Sequence, residues 1–503
     1  MRKYFLILNL FWVIQVIAQP INPADDVVYQ SDEVASIYLT LSAEAKAHFL
    51  NPSNQFSEQY FPAQFRFVNS LTDQTLNYQV GVRLRGNTSR EHEKKSYKID
   101  FREYGGSSFY TYKKFNLKPD VNDPSLMREP MTYFLYREMN VLAPRTHYTK
   151  LYMNGEYMGL YINVESIDDE FIDLRFGHED GFLYKASYGA DLGNANQANN
   201  TSLFESQMND NLPDDRSQLR NFINVLNNTP INDLKTELEK VFEVDRFLRQ
   251  YAVEALLGHW DAYAYNKNNF YLYYNSQSGK VDFIPYDTDN TWGIDWVNRD
   301  WATRDLNNWH RSSEARPLVS RLMAVEEYKL KYQNYLRILL NEYFNTEFMQ
   351  PKLNEIKDMI TNAIETDTYY PRAFDFDFDD FENSLNAGIS GTHVDYGLLQ
   401  YLQTRRNKAL EQIPALVTSV EGATLSITNM KPYPNPSVKP TFILPFTSKQ
   451  VEQLEVFHVN GTRQSFQLIE VKDGVEVQLN QPQFGLYLIK NNGQVYKWVY
   501  AHQ

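Results

Sequence analysis

A histidine, an aspartate and an asparagine stand at fixed intervals in His259-Trp260-Asp261-Ala262-Tyr263-Ala264-Tyr265-Asn266, and an acidic pair follows in Ile284-Pro285-Tyr286-Asp287-Thr288-Asp289. An aspartate can accept the proton of an attacking hydroxyl. An asparagine amide oxygen grouped with carboxylates makes a hard-oxygen set suited to Mg2+ or Mn2+. Phosphoryl transfer needs positioning and neutralisation of developing charge more than covalent chemistry, so one base and two or three such ligands suffice. Asp261 is the candidate base, and Asn266, Asp287 and Asp289 are candidate metal ligands. His259 fits a bracing role in the same loop. Each stretch alone arises readily by chance; their order, joined by a strand-like hairpin, carries the signal.

The elements that must position these residues are legible in part. Residues 36–41 alternate as a strand, and Ser42 caps a short helix to Leu50. Strands are expected over 61–69, 78–85 and 95–101, followed by a helix from Ser125 to Met139 in which Pro130 marks a kink or the true start. Asn154-Gly155 between alternating apolar runs announces a hairpin, 148–153 with 157–165. Residues 215–260 read as helices, the last of which delivers His259 and Asp261. A second hairpin, 269–275 with 280–285, leads to Asp287. The stretch 315–415 reads as helix, interrupted at Phe374–Phe381, where phenylalanine alternating with aspartate reads as a half-buried strand. From Thr424 onward, short strands and turns suggest a small β-sandwich. The fold expected is α+β, a two-lobed protein-kinase-like domain over 35–418 (lobes about 35–168 and 169–418), then an all-β domain over 424–503, with 19–34 as a linker. H-x-D-x-x-x-x-N is also the spacing of a protein-kinase catalytic loop.

At 503 residues the chain exceeds one ordinary core. A net charge of −14 speaks against nucleic acid as partner, because a phosphate backbone needs a basic face. Arg2 and Lys3, an apolar run to Ile17 and small residues before Gln19 make residues 1–18 a signal peptide. No later stretch is apolar enough to span a bilayer, so an exported, soluble mature chain is expected. The absence of cysteine excludes disulfides and thiol catalysis. A hydrolase nucleophile elbow, a phosphate-binding P-loop, a zinc-protease helix motif and an EF-hand are likewise missing.

Phosphate contacts are sought in the turn Arg85-Gly86-Asn87-Thr88-Ser89 and the lysine-bearing strand after it. Alternation puts Lys95 on the face of Tyr97 and Ile99 and Lys98 opposite, without deciding between them. Glu129 or Glu138 could pair with the lysine, and Glu165, at the end of the hairpin, could meet a base or anchor that lysine.

The blocks Arg83-Leu84-Arg85-Gly86, Lys94-Lys95-Ser96-Tyr97-Lys98, Asp123-Pro124-Ser125-Leu126-Met127-Arg128-Glu129, Asn154-Gly155 to Tyr161 and Ile284 to Asp289 together resemble the spore coat protein H (CotH) kinase family over about 35–415. The resemblance implies ATP and a divalent metal as cofactors and a Ser/Thr-bearing protein as acceptor. It implies Asp261 as base, Asn266 and Asp287 as ligands, Asp289 as helper, and Lys95 or Lys98 on phosphate. Tyr286 stands where the family commonly has tryptophan. The tail, through Tyr433-Pro434-Asn435-Pro436-Ser437 and Gly485-Leu486-Tyr487, is similar to type IX secretion sorting domains, which implies that export machinery as partner and a secreted or cell-surface location. The rival expectation is a kinase-shaped surface protein that binds without chemistry.

Overall fold

The computed structural model describes residues 21–413 apart from 210–211, 215 and 371–373, and chiefly the strands between 439 and 500. The expected signal peptide and the Tyr433–Ser437 stretch lie outside the described residues. The chain divides into two compact units, 1–414 and 415–503.

The first unit opens with a closed seven-stranded barrel. It comprises β1 (Val34–Leu41), β2 (Phe61–Val68), β3 (Asp73–Arg85), β4 (Ser96–Asp100), β5 (Lys114–Lys118), β6 (Thr146–Met153) and β7 (Glu156–Val164), in the order β1-β2-β3-β4-β5-β7-β6. β1 runs parallel to β6 and closes it. Strict alternation drives closure: Phe61, Ala63, Phe65 and Phe67 of β2 point inward while Pro62, Gln64 and Arg66 face solvent. Edge-to-face contacts of Phe65 with Phe101 and Phe115 fill the interior.

α1 (Ala43–Leu50) starts as expected, with Ser42 Oγ accepting from the Ala45 N–H. α2 (Arg128–Glu138) lies between β5 and β6. Pro130 falls in its first turn, where a missing N–H forfeits no helical bond, so the helix begins three residues later than Ser125.

α3 (Asp169–Phe176) leads to a sheet of β8 (Gly181–Ala186), β9 (Phe204–Ser206), β10 (Phe270–Asn275) and β11 (Lys280–Pro285), ordered β11-β10-β8-β9. Around it pack α4 (Ser217–Asn228), α5 (Ile231–Leu238), α6 (Val244–Leu257) and α7 (Tyr263–Asn266). They are joined by α8 (Pro317–Met323), α9 (Glu326–Ile338), α10 (Thr346–Glu365), α11 (Phe378–Asn383) and α12 (Leu398–Gln412). One large apolar cluster runs from Met131 and Tyr133 of α2 through α6 to α12, so α2 belongs to the helical core as well as to the barrel lobe.

Two expectations are corrected, and one strand was missed. The Phe/Asp run is not a strand: Asp377 and Asp380 form a capping box that starts α11, and a cap competes well with a strand wherever Asp stands at N-cap. Residues 21–33 are not a free linker, since Asn22 donates to the Val141 carbonyl and Val28 and Tyr29 are buried. The strand β5 was unforeseen, being only five residues long beside a turn. No described helix is long and apolar enough to cross a membrane.

The second unit holds two antiparallel sheets. One is β12 (Thr441–Leu444), β16 (Gly474–Leu479) and β15 (Phe466–Val471); the other is β14 (Arg463–Gln464), β13 (Glu455–His458), β17 (Gly485–Asn491) and β18 (Gln494–Tyr500). Phe442, Val477, Tyr487, Ile489 and Trp498 form their shared core. The whole chain is thus α+β, with small β-sheets at its C-terminal end.

Candidate active site

α6 ends at Gly258, whose left-handed backbone (φ 70°) lets the chain turn sharply, and the His259 N–H is bonded to the Glu254 carbonyl. This turn aims His259 and Asp261 at the residues following β11. His259 Nε2 donates to the Asp287 carbonyl at 3.2 Å. Burial pushes the His259 imidazole down to about 4, so it stays neutral and serves as a brace.

Asp287 is held from both sides. Its own N–H donates to the Tyr133 hydroxyl of α2 at 3.0 Å, and its backbone sits in the left-handed region at φ 52°. A non-glycine residue there costs on the order of 1–3 kcal/mol and persists only where its surroundings fix it.

Asp261 receives the Asn266 amide, which turns the amide oxygen, the atom a hard cation takes, away from that carboxylate. Asn269 Nδ2 adds bonds to Asp261 Oδ2 (2.9 Å) and to its carbonyl (3.0 Å). Burial, with a further push from Asp287, raises the Asp261 carboxyl to about 6 against the opposing Asn266 and Asn268 bonds. Asp289 rises to about 8 through burial and then Asp287, and Asn122 Nδ2 lies 3.4 Å from it.

The lysine of the site is Lys118, at the end of β5. Its ammonium lies 2.7 Å from Glu129 and 2.6 Å from Asp287, and 3.5 Å from Asp120. Burial opposes its charge, but Asp287, Glu129 and Asp120 hold it well above the usual lysine range. Despite burial, Lys118 and Arg85 keep Asp287 below the usual carboxylate range. Sequence reasoning missed Lys118 and Asp120; the Phe115/Leu117 alternation with Lys114, Asn116 and Lys118 between was the available signal.

The other sequence candidates fall as follows. Lys95 is buried among the barrel residues and donates to the Arg90 carbonyl, so it braces the 86–95 turn and does not reach the carboxylates. Lys98 faces the cleft, since Tyr97 and Ile99 take the barrel core. Arg85 Nη2 donates to the Tyr286 hydroxyl at 3.0 Å. Glu129 meets Lys118, not Lys95 or Lys98. Glu165 is elsewhere: it bonds Arg145 and Arg175, each at 2.7 Å, and is 3% exposed, which removes it from any nucleotide contact.

The donor set fits a divalent cation. Four carboxylates (Asp120, Glu129, Asp287 and Asp289) act on one lysine, Asp261 acts in turn on Asp289, and both Asp120 oxygens and Glu129 Oε2 are buried without a hydrogen-bond partner. Among the described residues, only Asp168, Asp169 and Glu170 bring three ligand atoms within 4.8 Å of one another, and Lys113 already binds two of these.

Residues 82–394 match the CotH kinase protein family. The chain is 26% identical to the inner spore coat protein H of Bacillus subtilis over 58% of this chain and 79% of that one. It is 23% identical to the spore coat protein homolog 1 and 22% identical to the invasin CotH2, both of Rhizopus delemar, over 72% and 61% of this chain. It spans 62% and 55% of the lengths of those two relatives. Among solved structures, the Helicobacter pylori proinflammatory kinase CtkA aligns at 9% identity over 65% of this chain and 96% of that one, with a TM-score of 0.24, which adds nothing to the family match. The match over 82–394 makes this chain a member of the CotH kinase protein family.

Proposed function

We propose that this chain transfers the γ-phosphoryl group of ATP to Ser or Thr hydroxyls of exported or surface proteins. The observation that carries this reading is Lys118 bridging Glu129 and Asp287, beside an Asp261 that feels the Asp287 charge. Asp261, ionised at neutral pH yet raised to about 6, accepts the hydroxyl proton as the nucleophile attacks. Asn266 and Asp287, helped by Asp289, hold Mg2+ or Mn2+, which neutralises charge on the phosphates. With a cation bound, Asp287 would be one of its ligands and Lys118 would be left to meet phosphate. The N-terminal signal peptide supports export, and the C-terminal β unit is suited to type IX sorting. The invasin relatives favour a surface location.

Purified protein with labelled ATP and Mn2+ or Mg2+ tests this. Transfer or autophosphorylation is expected to fall about 10²–10⁴-fold in Asp261→Asn and to vanish in Asp287→Ala. A wild type that binds no nucleotide overturns the reading in favour of a binding protein without chemistry.

A further inference from the structure

The face of β3-β4-β5 turned away from the barrel core is a cationic platform. Val82, Leu84, Tyr97, Ile99, Phe115 and Leu117 point inward, so alternation sends Arg83, Arg85, Lys98, Lys114 and Lys118 to the opposite face. Register makes them neighbours: Arg83 is opposite Lys98, Lys98 opposite Asn116, and Lys114 opposite Asp100. Across the cleft, Lys185 of β8 stands over the Tyr286 ring at 5.3 Å, and Arg85 donates to that tyrosine's hydroxyl.

Other cations of this acidic chain find carboxylates. Arg83 pairs with Glu58, Lys113 with Asp169 and Glu170, and Lys118 with Glu129 and Asp287. Among the described residues, Arg85, Lys98, Lys114 and Lys185 have none at ion-pair distance. All four are half-buried. Burial first, then Lys114, Arg83 and Arg85, push the Lys98 ammonium down to about 8. Carboxylates stand near without closing an ion pair: Asp287 acts on Arg85 and Lys185, Asp168 on Lys114 and Asp100 on Lys98, and Glu205 lies opposite Lys185 in register. Grouped cations with no carboxylate in contact are costly unless a further anion joins them. A base pocket, by contrast, is mostly apolar.

We propose that Arg85, Lys98, Lys114 and Lys185 bind the phosphate chain of the donor, so that this cleft selects its donor by oligophosphate and not by nucleobase. The inference rests on the phosphotransfer reading and names what that site recognises. An arginine fork and three ammonium groups match phosphate oxygens.

Calorimetric titration of the full chain with inorganic tripolyphosphate and Mg2+, beside ATP, GTP and adenosine, tests it. Tripolyphosphate is expected to bind within about tenfold of ATP, GTP to equal ATP, and adenosine not to bind. Lys98→Met with Lys114→Met weakens tripolyphosphate at least about tenfold, while thermal stability in buffer holds or rises because repelling charges are gone. Adenosine binding without tripolyphosphate binding overturns the proposal, as does wild-type affinity in the double variant. Failure of phosphotransfer with tripolyphosphate binding intact overturns only the catalytic reading, and Asp261→Asn separates the two, since it keeps the anion and loses transfer.

Discussion

Two buried charge clusters lie within the same unit and behave in opposite ways. At Glu165 one carboxylate meets two guanidinium groups, Arg145 and Arg175, with Asp26 as a further partner of Arg145. Against burial, Arg175 and Arg145 draw the Glu165 carboxyl down to about 2. At the candidate site, four carboxylates share Lys118, and Asp289 rises to about 8. The first cluster is complete within the chain and holds structure together. The second carries more carboxylates than its one lysine can neutralise, and under the proposed function a cation from outside would complete it.

The largest expected effect breaks the complete cluster. Glu165→Gln leaves two arginines buried without their charge partner and is expected to cost about 3–5 kcal/mol, read as a lowered midpoint in urea unfolding. A midpoint unchanged within error would mean that Asp26 and solvent replace Glu165, and the contrast between the clusters would disappear.

The candidate carboxylates Asp261, Asp287 and Asp289 were legible because they sit in two short stretches, one at the end of an apolar helix and one after a hairpin. Helix α1 and the Asn154-Gly155 hairpin were legible for the same reason, since each is set by contacts a few residues apart. The lysine was not. Lys94, Lys95, Lys98, Lys113, Lys114 and Lys118 compete along 25 residues, and the winner depends on which strand of a closed barrel abuts α2. Glu165 misled because strand-end position does not say which side of the barrel a carboxylate serves. Lys94, next to the candidate Lys95, pairs with the buried Asp367 just past α10.

The next effect is a pH slope in the helical core, away from both clusters. Glu254 in α6 is fully buried, and burial lifts its carboxyl from 4.5 to about 7, against the Gln250 bond. The native state then holds a proton that the unfolded chain releases between those values, so stability falls as pH rises from about 4.5 through about 7. The loss amounts to about 3 kcal/mol. In Glu254→Gln this contribution to the slope is expected to vanish, so the variant outlasts wild type in thermal unfolding at pH 8 and not at pH 5. Parallel profiles for the two proteins would show the group ionised in its burial site.

The last effect has the opposite sign to the first. Asp289 is buried beside Asp287, Glu129 and Asp261, so Asp289→Asn removes repulsion that the fold itself does not need. With chelator present the variant is expected to outlast wild type in thermal unfolding at pH 8, where the carboxylate ionises. With Mn2+ the order reverses, because wild type gains the binding free energy and the variant gains less of it. A destabilised variant in chelator would place Asp289 with Glu165, as a group the fold depends on. The charge excess would then belong to the remaining carboxylates, Asp120 foremost, whose two oxygens are buried without a donor.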